Sequence, residues 1–225
     1  MIIIGVTGGV GAGKSALLKE VEKRYNCRVI YSDDVANDVK KKGMPAYDKL
    51  VDLLGKDILE VSADGTYGEI DKKKMAKAIF NDDILLQKVN AILHPATNDY
   101  IDKEVTGERE KGKLDYLFIE AALLIENGYK DKANQLWYVY ASEDVRRQRL
   151  SQNRGYSDEK ITSIFYSQLS EYEFRKNCDF SIDNSTSLED ALSQIDRHLN
   201  GEDALSQIDR HLNGEDLLHD SKEVT

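Results

Sequence analysis

Apolar residues run without interruption through Ile2-Ile3-Ile4-Gly5-Val6 and stop at a glycine-rich segment. A short continuous run of this kind predicts a strand buried on both faces of a parallel sheet. Similar runs at Arg28-Val29-Ile30-Tyr31, Asp115 to Glu120, Gln135 to Ala141 and Asp179 to Asp183 predict four more strands. Between them the apolar period becomes helical. Ala16-Leu17-Leu18-Lys19-Glu20-Val21 opens a helix reaching about Tyr25, and Val35 to Val39 forms a short one, capped by Ser32 or Asp33 and stopped by Gly43 and Pro45. Tyr47, Leu50, Val51 and Leu54 recur at helical spacing, as do Met75, Ile79 and Phe80, and then Leu85, Leu86, Val89, Ile92 and Leu93. Residues from Ala46 to about Lys111 therefore read as a mostly helical block inserted between strands, with a turn at Ala63-Asp64-Gly65-Thr66 and an apolar helix ending near His94-Pro95. Ser142-Glu143-Asp144 starts a charged helix over Val145 to Asn153. Ser157 starts another, with acids in its first turn. Strands alternating with helices predict an α/β fold around a parallel sheet.

The segment after the first strand carries the chemistry. Gly8-Gly9-Val10-Gly11-Ala12-Gly13-Lys14-Ser15 matches the phosphate-binding pattern G-x-x-x-x-G-K-[ST], with a strand before it and a helix after it. Glycines let the backbone approach a phosphate and aim several N–H groups at it. The helix N-terminus adds positive potential. Lys14 reaches the β- and γ-phosphates, and the Ser15 hydroxyl holds Mg²⁺. The chain is expected to bind a nucleoside triphosphate with Mg²⁺.

Composition narrows the partners. The chain has 225 residues, with 31 Lys and Arg against 41 Asp and Glu, a net charge of −10. That balance argues against general nucleic-acid binding, which needs a basic footprint. Two cysteines, Cys27 and Cys178, are expected to remain thiols. The N-terminal apolar run is too short for a signal peptide or membrane span, so a cytoplasmic protein without membrane contact is expected.

Several residues stand where chemistry is usual. Asp33 lies just past the carboxyl end of the second strand, where ligands of open α/β sheets bind. It reads either as a base that takes a proton from an attacking hydroxyl or as a helix cap. Glu120 ends the third strand and reads either as a water-mediated Mg²⁺ contact or as a solvated strand end. Arg146, Arg147, Arg149 and Arg154 lie in or just beyond a charged helix, as lid cations or as a face paired with Glu143 and Asp144.

The tail repeats itself. Glu189 to Gly201 is followed by an identical copy, Glu202 to Gly214. Leu192, Ile195 and Leu199 give the first copy an apolar face, and Asn200-Gly201 is a stop signal. Thirteen residues advance a helix by about 3.6 turns, so a continuous second copy would face roughly 140° away. The first copy reads as the last helix of the domain. The second reads as a duplication with no place in the core, with a partner-binding helix as the alternative.

Taken together, these pieces resemble the dephospho-CoA kinase family. The resemblance rests on Thr7 to Ser15; Tyr31-Ser32-Asp33-Asp34-Val35-Ala36; Lys42-Gly43-Met44-Pro45-Ala46; Phe80-Asn81-Asp82; His94-Pro95; Leu123-Leu124-Ile125-Glu126; and Cys178-Asp179-Phe180-Ser181-Ile182-Asp183-Asn184. It implies a P-loop core like that of nucleoside-monophosphate kinases: a five-stranded parallel sheet in a domain of residues 1–199. A helical CoA-binding subdomain is implied at about 46–111 and a lid at about 142–176, with 200–225 left as duplicated helix and tail. The implied reaction is ATP-dependent phosphorylation of the 3′-hydroxyl of dephospho-CoA by a monomer or weak homo-oligomer. By position, Asp33 resembles the catalytic base and Arg149 the transition-state lid arginine, acting with Lys14. Gly8 through Ala16, Arg154 and Asn184 fall in the implied ATP set; Asp33, His94 and Glu126 fall in the implied acceptor set. The chain departs from the family pattern at Ala16, Tyr31, Ala122, Asn153 and Cys178. Asn153 stands where a second lid arginine is expected, with Arg154 one place later.

A truncation ending at Gly201 is expected to keep the melting temperature, nucleotide affinity and oligomeric state of the full chain. A change in any of them would give the second copy a role.

Overall fold

The computed structural model describes residues 1–201 apart from Asn81 and Asn127. The second tail copy and the middle residue of the Phe80-Asn81-Asp82 box lie outside the described residues. In chain order the elements are β1 (Ile2–Thr7), α1 (Lys14–Arg24), β2 (Cys27–Tyr31), α2 (Ser32–Asp38), α3 (Tyr47–Leu54), β3 (Leu59–Val61), β4 (Tyr67–Ile70), α4 (Lys72–Ile79), α5 (Asp83–Lys111), β5 (Tyr116–Glu120), β6 (Gln135–Tyr140), α6 (Glu143–Arg154), α7 (Asp158–Tyr166), α8 (Glu171–Asn177), β7 (Phe180–Asp183) and α9 (Leu188–Leu199). Five strands form a parallel sheet in the order β2-β5-β1-β6-β7. They are the five apolar runs of the sequence, and their central residues are buried: Ile3, Ile4 and Val6; Val29 and Ile30; Leu117 to Ile119; Leu136 to Val139; Ile182. The described residues divide into two compact units, one of residues 1–6 and 24–135, the other of residues 7–23 and from Leu136 onward.

In the first unit β5 pairs with both β1 and β2, and the registers set Val6 and Tyr31 each opposite Glu120. The carboxyl ends of these strands therefore share one level. Arg28 on β2 ties α5 down through Glu104 at 2.5 Å and Glu108 at 2.7 Å. The inserted block is not helical throughout. β3 and β4 make an antiparallel hairpin around the expected turn, with Ser62 N–H donating to the Thr66 carbonyl at 3.0 Å and Gly65 at φ +83°. These strands have three and four residues, too few to show a period of two against the helical spacing around them. The helix expected to end near His94-Pro95 also continues: α5 spans 29 residues with Pro95 inside it. Val89 before the proline and Thr97 and Ile101 after it are buried. Packing on both sides offsets the roughly 3 kcal/mol that an interior proline costs.

The second unit is held by aromatic contacts on β6 and β7. Trp137 is fully buried and meets Phe180 edge-on at 5.3 Å. His198 of α9 stacks on Phe180, with ring centroids 3.9 Å apart and planes within 10°. α9 adds Ala191, Leu192 and Ile195 to the core and ends at Asn200, with Gly201 at φ +76°. On Tyr138, Phe174 of α8 lies flat at 4.7 Å, and burial pushes the Tyr138 phenol up to about 12. α7 starts at Ser157, where the sequence placed a helix start, with the Ser157 hydroxyl accepting the Lys160 N–H; α8, not read from the sequence, starts with a capping box of Ser170 and Glu173. Among the described residues no helix is long and apolar enough to cross a membrane.

Trp137→Ala is expected to cost about 3–5 kcal/mol, the usual range for emptying a buried aromatic site. Urea denaturation followed by circular dichroism measures this. A cost below about 1 kcal/mol would mean that the cluster does not hold the unit.

Candidate active site

The loop between β1 and α1 has the geometry its residue types predict. Gly8, Gly11 and Gly13 sit at φ +145°, +86° and +91°, where a side chain is strained. Space also requires two of them. A Cβ on Gly8 would lie 2.3 Å from the Val139 carbonyl oxygen, and one on Gly13 would lie 2.5 Å from the Asn184 amide nitrogen. Lys14 opens α1, and its Nζ donates to the Gly8 carbonyl at 2.7 Å. Ser15 follows on the exposed first turn. A hydroxyl oxygen is a fitting ligand for Mg²⁺, which takes its other ligands from water and substrate phosphates. Among the described residues no cluster of three or more His, Cys, Asp or Glu is placed to hold a metal ion.

A loop that turns its N–H groups toward a ligand leaves its carbonyls to be satisfied elsewhere. Asn184, directly after β7, is buried and donates through Nδ2 to the Ala12 carbonyl at 2.8 Å. Its own N–H is held by the Tyr140 carbonyl at 2.8 Å. Arg149 donates to the Ala12 carbonyl at 3.2 Å and to the Asn184 carbonyl at 2.9 Å. Arg146, one turn earlier on α6, donates through Nε to the Val10 carbonyl at 2.9 Å and through NH2 to Gln168 Oε1 at 2.6 Å. The same Gln168 oxygen accepts the Val10 N–H at 3.3 Å. Burial pulls the Arg146 guanidinium below its ordinary value.

The four arginines thus divide. Arg147 is paired with Glu143 at 2.8 Å and Asp158 at 2.7 Å. Arg154 is exposed at the end of α6, 6.0 Å from the Tyr156 ring. Arg146 and Arg149 face the loop. The sequence names Arg146 among four candidate lid arginines, but the resemblance assigns roles only to Arg149 and Arg154, and Gln168 is not named. Helical spacing sets Arg146 and Arg149 on one face, and that was the available signal.

In the first unit, Asp33 and His94 line one cavity of 230 Å³, together with Ser32, Asn90, Thr97 and Ala122. Asp33 is not the helix cap. Tyr31 holds the N-cap position of α2 without a side-chain bond, and Asp33 lies exposed in the first turn. Among the described residues its carboxylate makes no hydrogen bond or salt bridge. Lys40, missed by the sequence reading, lies at the end of the same segment. Burial, and then the Lys72 charge, lower its pKa, while the Asp33 charge pulls it up. Glu120, at the carboxyl end of β5, is half-buried. Glu126 is exposed on the turn after β5 and is not part of the cavity wall.

These features meet a family match that covers most of the chain. The dephospho-CoA kinase family model matches residues 2–190. The chain belongs to the dephospho-CoA kinase family. It is 32% identical over 193 residues to the dephospho-CoA kinase of Carboxydothermus hydrogenoformans, covering 86% of this chain and 90% of that one. It is 34% identical over 193 residues to the dephospho-CoA kinase of Aquifex aeolicus, covering 85% and 93%. The solved structure of the dephospho-CoA kinase from Campylobacter jejuni shares the fold, with a TM-score of 0.64 at 20% identity, over 89% of this chain and 98% of that one.

Gly8→Ala is expected to weaken ATP binding by at least about tenfold, since a strained residue costs about 1–3 kcal/mol before the clash is added. Gly65→Ala, at φ +83° with open space around its Cβ, is the control and should leave affinity unchanged. Calorimetric titration with ATP separates the two.

Proposed function

We propose that the chain transfers the γ-phosphoryl group of Mg-ATP to the 3′-hydroxyl of dephospho-CoA, giving coenzyme A and ADP. Besides the family match, one observation carries the acceptor side: Asp33 and His94, far apart in sequence, share a cavity wall. Asp33 is the general base. Among the described residues its carboxylate makes no hydrogen bond or salt bridge, though it acts electrostatically on Lys40, so an oxygen is available to take the proton of the 3′-hydroxyl. The hydroxyl oxygen then bonds to the γ-phosphorus as the bond from that phosphorus to the β–γ bridging oxygen breaks, and the electron pair leaves with ADP. His94 and Glu126 belong to the acceptor side, His94 through the cavity wall.

On the donor side, the loop from Gly8 through Ala16 cradles the phosphates with those backbone N–H groups that the protein does not use (Val10 N–H is held by Gln168 and Ala12 N–H by the Gly9 carbonyl), and Lys14 moves from the Gly8 carbonyl to the β- and γ-oxygens. Asn184 fixes the loop from the nucleotide side through Ala12. Arg149 turns its guanidinium from the Ala12 carbonyl to the charge spread over the transferred group. Arg154 enters only as an exposed cation at the helix end. Ser15 would hold Mg²⁺, with Glu120 reaching it through water; when bound, the ion neutralises charge on the β- and γ-oxygens.

Asp33→Asn is expected to lower kcat by about 10²–10⁴-fold, the usual worth of a general base, while ATP affinity is kept. A coupled ADP-release assay with dephospho-CoA as acceptor reads this, with adenosine and shikimate as controls. A loss below about tenfold would withdraw the assignment of the base.

A further inference from the structure

Arg146 and Gln168 form a built arrangement that the reading above does not use. Three observations set Arg146 apart. Its donors go to a loop carbonyl and a neutral amide, and no carboxylate among the described residues lies within salt-bridge distance of it, whereas Arg147 one residue on has two. It is half-buried, with its guanidinium 4.1 Å over the Phe165 ring. Partial burial without a salt-bridged carboxylate is costly for a cation, even with Glu143 acting on it at longer range, and an anionic ligand reduces that cost. The third observation concerns Gly9. It occupies a variable position of the P-loop pattern, where the phosphate cradle does not demand glycine. A Cβ there would lie 2.4 Å from Arg146 NH2 and 2.5 Å from its central carbon. The space left by the absent side chain is filled by the guanidinium.

The position along the loop gives the role. Lys14 Nζ, the group that reaches the β- and γ-phosphates, rests on the Gly8 carbonyl, which marks the Gly8 end of the loop as lying within its reach. Arg146 covers Gly9 and binds Val10, beside that mark; Arg149 binds Ala12 and Asn184, toward the other end. We propose that Arg146, braced by Gln168, is a second arginine for phosphoryl transfer, presenting its NH1 amino group to the γ-phosphoryl oxygens at the Gly9–Val10 end of the loop. Nε and NH2 are engaged by Val10 and Gln168, and the fork geometry leaves NH1 to meet the ligand. Gln168 lies between α7 and α8, so the lid segment and the loop apex are joined through one side-chain oxygen. This inference rests on the kinase reading and adds the group that meets the charge developing on the transferred phosphoryl.

Steady-state kinetics on Arg146→Gln, Arg146→Lys and Gly9→Ala test it, with melting temperatures taken alongside. Arg146→Gln is expected to lower kcat by about 10²-fold, as removal of one preorganised charge-stabilising donor does. The KM for ATP should stay within about threefold, because the contact strengthens only in the transition state. Arg146→Lys should recover part of the rate, since a point charge replaces a fork. Gly9→Ala, which keeps the arginine but displaces it, should lower kcat in the same direction and carries the test if Arg146→Gln does not fold. Unchanged kcat in Arg146→Gln or in Gly9→Ala would overturn the proposal. So would a raised KM for ATP at full kcat, or a lowered melting temperature at full kcat, either of which makes Arg146 a strut. A wild-type enzyme without dephospho-CoA-dependent turnover would overturn the kinase reading and this one together; an active wild type matched by Arg146→Gln would overturn this one alone.

Discussion

Satisfaction of the phosphate loop's carbonyl groups is the constraint on which the second unit depends. A cradle of inward N–H groups turns carbonyl oxygens outward, and buried carbonyls without partners are expensive. Four side chains answer them, Lys14 among them at the Gly8 carbonyl. Asn184 and Arg149 converge on Ala12, and Arg146 takes Val10. Each comes from a place fixed by the hydrophobic core. Asn184 follows β7, whose Phe180 is held between Trp137 and His198, and its N–H is bonded to the end of β6. The arginines sit one turn apart on α6, anchored by buried Leu150. The core therefore reaches the cradle through a few hydrogen bonds, and α9 takes part although it carries none of the proposed site residues.

The first unit works by exposure rather than by satisfaction. Asp33 lies exposed in the first turn of α2, a helix that begins at Tyr31 without a side-chain cap bond.

Much of this was legible in the chain because it rests on residue types with no substitutes. The five strands stand where the apolar runs stand. The loop glycines are where positive φ and close approach require them, at Gly8 and Gly13. Legibility failed where tertiary packing overrules a local signal. Pro95 reads as a stop, yet α5 passes through it because buried residues on both sides hold the helix together. The β3–β4 hairpin is too short to impose its own period. Arg146 and Arg147 are neighbours of the same type; only the position of Glu143 and Asp158 beside one and of Val10 and Gln168 beside the other tells them apart. That distinction is three-dimensional, and no spacing rule contains it.

The guanidinium lying where a side chain on Gly9 would begin has a consequence for how this site changes over generations. Positions 9 and 146 are 137 apart in the chain and share one small volume. A lineage that acquires a methyl group at the first position has to surrender or re-route the arginine at the second. One that first loses the arginine is released from glycine and gains the conformational restriction that a larger residue brings. The two positions are coupled sterically: a larger residue at 9 displaces the guanidinium end at 146.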